Sequence, residues 1–227
     1  MQLSLRRKST VARKLGLLLL VGLPFAALQS SFAAPAPPVP PTAAKMQPAK
    51  QRDFQNAMRK LWEDHVAWTR LFLVSALSDL PDKGPTTERL LRNQVDIGNA
   101  LKPFYGDAAG EKLTALLKIH ITTAAEVVTA AKGNDAARLD DAKKRWFANA
   151  DDIATFLSGA NPKSWPLVEM KQMMRDHLNL TTTEVEARLK GDWTADIAAY
   201  DKVHEQILQM ADMLSIGLLS QFPNKFA

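Results

Sequence analysis

The chain has 227 residues, no cysteine, and 29 basic against 24 acidic residues. Five of the basic residues and none of the acidic ones lie in the first 33, which leaves 24 of each in the remainder and assigns the high pI to the N-terminal segment alone. A balanced remainder lacks the basic stripe of a nucleic-acid-binding protein, and without cysteine neither disulfides nor thiolate chemistry is available.

The N-terminus reads as a secretory signal over residues 1–33. Arg6, Arg7, Lys8, Arg13 and Lys14 form a basic head, LGLLLLVGLPFAAL follows as a short apolar run, and Ser31 and Ala33 supply small residues before a cut at Ala34. That order marks export, and the run is short for a membrane span, which needs ~20 residues. The mature chain is therefore expected to be periplasmic or secreted, with no membrane span. Residues 34–50 (APAPPVPPTAAKMQPAK) are rich in proline and alanine and read as a flexible tether.

From residue 51 to 227 the spacing predicts an all-α domain. The first helix is expected from near Arg52 to Leu80, stopped by PDKGP. Thr86 or Thr87 opens a second, which ends at Tyr105-Gly106, and Asp107 caps a third running to Lys132. A fourth follows Asn134 or Asp135 and ends near Gly159 to Pro162. Ser164 caps a fifth, expected to break at Thr181 to Thr183, where TTTE reads as a capping box. Asp192 opens a sixth, ending near Gln221 before Pro223.

The helices pair into hairpins, and the hairpins repeat. His65-Val-Ala-Trp-Thr69, His120-Ile-Thr-Thr123 and His177-Leu-Asn-Leu-Thr181 align, with the histidines 55 and then 57 residues apart. In the second helices Asn93-x-x-Asp96-Ile97 matches Asn149-x-x-Asp152-Ile153, and Gln209-x-x-Asp212-Met213 reads as a weaker third copy. Three tandem hairpins of this length predict a compact six-helix bundle rather than a solenoid.

LWEDHVAWTR, LLRNQVDIGNALKPFYG, KKRWFANADDIATFL and GDWTADIAAYDKVHEQILQMADML resemble an uncharacterised bacterial family of small helical proteins. Members are often labelled glycosyltransferase or acetylglutamate kinase. Those activities need a glycine-rich phosphate cradle or an α/β nucleotide fold, and the sequence has neither. The resemblance implies the helical fold and no chemistry.

All four histidines fall on apolar helix stripes and are expected to point inward. His204 shares its stripe with Ile197, Tyr200, Ile207 and Ala211, and would stand level with His177 across the last hairpin. One reading makes each imidazole a core group satisfied by a carbonyl, a threonine one turn on, or an Asp or Asn of the paired helix. The other is a metal site inside the bundle, drawn from His65, His120, His177 and His204, with Asp96 and Asp152 as carboxylates and Met173 and Met174 as thioethers. Copper, zinc or manganese are the candidate ions. The tryptophans read mainly as packing anchors. The expected function is that of an exported, non-catalytic binding protein holding a transition-metal ion. The alternatives are an envelope interaction or scaffold domain with structural histidines and, third, an enzyme of unknown class.

Overall fold

The computed structural model of the chain describes residues 48–226. The expected signal segment and most of the expected tether lie outside the described residues. Six helices follow in order: α1 (Ala49–Leu77), α2 (Lys83–Tyr105), α3 (Asp107–Lys132), α4 (Ala136–Ala160), α5 (Leu167–Leu189) and α6 (Trp193–Gln221), with a final 3-10 turn at Pro223–Lys225. There is no strand among the described residues.

Each helix buries one stripe. In α1 it is Met58, Trp62, His65, Val66 and Leu73, spaced by three, four and seven residues. Each helix packs against its sequence neighbours, and α6 also packs against α1. The result is a closed six-membered ring of helices joined by short turns, as in up-and-down bundles. Further contacts join α1 to α3 and α1 to α5 across the ring. The first helices of the three hairpins therefore face a shared interior. α3 is long and apolar enough to span a membrane by composition, yet half of that window is buried inside the bundle.

Two close approaches tighten the ring. A Cβ at Gly98 would stand 2.6 Å from the Gly110 carbonyl, so α2 and α3 touch backbone to backbone. A Cβ at Gly217 would stand 2.2 Å from Trp165 Nε1, so that glycine makes room for a fully buried indole.

Several boundaries differ from expectation. α1 starts at Ala49, inside the expected tether, and ends at Leu77. α2 starts at Lys83 rather than at Thr86 or Thr87, because Pro85 sits in a first turn that needs no N–H from it. Asp107 is the first residue of α3 rather than its cap; Gly106 holds that place at φ 85°. Ser164 does not cap α5. Pro166 does not favour a helical residue before it, so the helix begins at Leu167, and Asn161 holds the turn through Ser164 N and Trp165 N. Asp135 and Asp192 are true caps, accepting from Arg138 N and Ala195 N.

The expected break in α5 is absent. Thr181, Thr182 and Thr183 donate their hydroxyls to the carbonyls of His177, Leu178 and Asn179, one turn back, at 2.9, 2.8 and 3.0 Å. Bonded this way, the three side chains do not draw backbone groups out of the helical ladder.

Candidate functional site

His65, His120 and His177 meet at the centre of the ring. Their rings are 3–5% exposed, and the centroids of His65 and His120 lie 5.9 and 6.4 Å from that of His177. With Trp62, Leu117, Met174, Ile207 and Met210 they line a cavity of about 10 Å³, roughly the room of one water or one ion. The duplication thus brings one histidine from each hairpin to one place.

Two of the imidazoles, His120 and His177, are each oriented by an amide on the partner helix. His120 Nδ1 lies 3.1 Å from Asn149 Oδ1, and Asn149 Nδ2 donates to the Leu116 carbonyl at 3.1 Å. His177 Nδ1 lies 3.1 Å from Gln206 Oε1, and Gln206 Nε2 donates to the Met173 carbonyl at 3.2 Å. A carbonyl can only accept, so the amide nitrogens must face the carbonyls and the amide oxygens must face the rings. Nδ1 therefore carries the proton and donates, and Nε2 keeps its lone pair.

The first hairpin splits this role between two residues. Asn93 Nδ2 donates to the Leu61 carbonyl at 3.0 Å, while Gln94 Nε2 donates to Leu90 O and Asn93 Oδ1. That leaves Gln94 Oε1 for the ring of His65, which the two amides act upon. Neither Gln94 Oε1 nor His65 Nδ1 completes a hydrogen bond, although both are buried. No hydrogen bond reaches Nε2 of any of the three histidines among the described residues.

Burial is the main force on their protonation. It pushes His120 down to about 3, with His177 adding to the effect, and His177 down to about 4. His65 is lowered well below the usual range by burial and then by the other two histidines. All three are neutral at pH 7 and can act as ligands.

The other expected ligands divide. Met174 is buried in the cavity wall. Met173 presents its carbonyl to Gln206. Asp96 and Asp152 are exposed, one position before the buried Ile97 and Ile153, and do not line the cavity. His204 does not join the centre either. It is half-buried, with Nε2 3.1 Å from Glu63 Oε1 and its ring against Tyr200. The buried stripe of α6 runs through Val203, Ile207 and Met210, one residue off the expected one, and Ile197 is 57% exposed. Gln206, not His204, stands opposite His177.

The threonines after the histidines do not bond the imidazoles. Thr69 and Thr181 donate to the carbonyl of the histidine one turn back, and Thr123 to Ile119 O and His120 O. Asn149 is the Asn of the paired helix expected for His120, whereas Gln94 and Gln206 are the amides that the sequence reading missed. Their signal is a constant offset of 29 residues from histidine to amide in the second and third hairpins, which Gln94 shares with His65. The third copy is thus Gln206, three residues before the Gln209 expected from sequence.

Of the tryptophans, Trp62, Trp146 and Trp165 are buried anchors, and Trp62 and Trp146 pack against His65 and His120. Trp193 is 59% exposed. A second cavity of about 70 Å³, walled by Phe72, Leu90, Ile121, Val127, Trp146 and Val185, is apolar. Its threonines, Thr69, Thr181 and Thr182, are spent on helix carbonyls.

As the side chains stand, no group of three His, Cys, Asp or Glu among the described residues is placed to hold a metal ion. Three imidazoles ligating one ion at ~2.0–2.1 Å have ring centres about 5 Å apart, so the His65–His177 and His120–His177 pairs would each have to close by roughly an ångström. Comparisons with protein-family models, curated proteins and solved structures return no match for this chain.

Proposed function

We propose that the protein binds a single transition-metal ion at the three-histidine centre. One observation carries this: three equivalent, neutral histidines border a cavity the size of one ion, and two of them, His120 and His177, are turned toward an amide by Nδ1 with no hydrogen bond reaching Nε2. Metal-bound histidines are oriented in this way, the second ring nitrogen donating to a carbonyl or carboxylate. With Nδ1 donating, the Nε2 lone pairs of His120 and His177 are left for a ligand in the cavity that the rings border. Ring closure of about an ångström accompanies binding. The role read from the centre is binding of the ion. The basic head, apolar run and Ser31-x-Ala33 pattern support export, which puts the protein where envelope metal ions are met.

The test is metal analysis and titration of the purified chain with copper, zinc and manganese. One ion per chain, a raised melting temperature and loss of both effects in His120→Ala are expected. A wild-type chain that takes up none of these ions, with unchanged melting, would instead assign the histidines to the core and favour a scaffold role.

A further inference from the structure

We infer that the three-histidine centre selects a monovalent copper ion, Cu(I), over divalent ions. This rests on the reading of the centre as a metal site and adds the identity of the metal.

The inference comes from the charge of the surroundings. The cavity wall holds three neutral imidazoles, the thioether residues Met174 and Met210, and the apolar Trp62, Leu117 and Ile207. Among the described residues no carboxylate lines it. The groups that face the imidazole N–H donors are the amides of Asn149 and Gln206, with Gln94 at the equivalent place, and these too are uncharged. Asp96 and Asp152, on the same helices, are exposed. Glu184, two turns beyond His177 on α5, is already paired with Arg70.

An ion entering this core brings its full charge with no anion to meet it. The work of moving an ion from water into a low-dielectric interior rises with the square of its charge, so a divalent ion costs about four times what a monovalent one does. Zinc and manganese sites offset that work with carboxylates, thiolates or bound water, and about 10 Å³ leaves no room for a water beside the ion. Cu(I) is soft, accepts three neutral nitrogen ligands without an anion, and favours thioether neighbours. Met174 and Met210 supply that contact from α5 and α6.

The test is an anaerobic titration of the purified chain with Cu(I) against a chromophoric cuprous chelator, beside Zn(II) and Mn(II) against chelators of known affinity. Cu(I) is expected to bind at one per chain and about 100-fold more tightly than Zn(II). Helicity by circular dichroism checks the fold of each variant. Met174→Leu with Met210→Leu keeps the volume and should weaken Cu(I) about tenfold while leaving Zn(II) unchanged. Asn149→Asp places an anion behind His120 and should move the preference toward Zn(II). Zn(II) binding as tightly as Cu(I) in the wild type overturns the inference and leaves the metal centre standing. Failure of every ion to bind, or Cu(I) binding that survives both His120→Gln and His177→Gln, overturns the centre itself.

Discussion

Asn149 holds His120 from one side and the Leu116 carbonyl from the other, with both hydrogen bonds at 3.1 Å. A single amide on α4 thereby fixes the tautomer and the tilt of a buried imidazole on α3. Gln206 repeats the arrangement between α6 and α5.

Replacing Asn149 by Ala strands one buried group, the ring N–H of His120, while the Leu116 carbonyl keeps its helical partner within α3. A loss of ~1–3 kcal/mol in urea unfolding is expected, the cost of one stranded group. His204→Ala removes a half-exposed contact to Glu63 and a ring contact with Tyr200 and should change stability by less than about 1 kcal/mol. Equal effects of the two substitutions would argue against the amide's role.

The histidines also set a pH dependence. Their folded pKa values lie below the unfolded value of ~6.5, at about 3 for His120 and about 4 for His177, with His65 lowered as well. Above pH ~6.5 both states are neutral and the groups contribute nothing. As pH falls below that, the unfolded chain takes up protons that the folded chain refuses, so stability falls toward pH ~4 by roughly 1.4 kcal/mol per unit for each of His120 and His177, with His65 acting in the same direction. Glu184 acts in the opposite sense, because burial raises its pKa and its protonation favours the folded state as pH falls toward 4.5. Asp151, Asp196 and Asp212, lowered chiefly by hydrogen bonds from arginines, add their own losses only below about 4. Urea midpoints from pH 7 to pH 4.5 check this; a flat profile would contradict the burial of the three rings, and His120→Gln should flatten the slope.

A buried ionic knot ties α1 to α5 and α6. Arg70 bonds Glu184 at 2.8 Å and Asp196 through both carboxylate oxygens, and Arg188 reaches Asp196 at 2.9 Å. Arg70→Met leaves Glu184 without its arginine and Asp196 with only Arg188, both nearly inaccessible. A destabilisation of ~3–5 kcal/mol is expected from thermal or denaturant unfolding. Lys60→Met, which removes an exposed pair with Asp64, serves as the surface control with little effect expected.

Gly217→Ala tests the packing of the last hairpin. The added methyl meets Trp165 Nε1 at 2.2 Å, and that indole also donates to the Met213 carbonyl at 3.3 Å. Displacing it should cost ~1–3 kcal/mol. Gly159→Ala, with open space at its Cβ, should be neutral or slightly stabilising, and calorimetry separates the two outcomes.

The helical class, the six elements and the equivalence of His65, His120 and His177 were legible in the sequence. Apolar spacing defines a helix stripe, and duplication leaves a countable period. The inward direction of those three rings was legible too, since each lies well inside its own stripe. His204 was not, because it sits at a stripe edge beside Val203, where a rotation of one residue separates core from surface. Nor was the continuity of α5, since threonine hydroxyls can serve a cap or an interior turn and local sequence does not choose between them. The tertiary structure alone decided which stripes share a centre and which amides stand behind the rings. A stripe specifies direction about its own axis, whereas the partner across the gap depends on closure of α6 onto α1 and on the register of each hairpin. That register carries Gln206 past Gln209 to His177 and leaves Asp96 and Asp152 outside, so the neutrality of the centre is a property of the assembled ring.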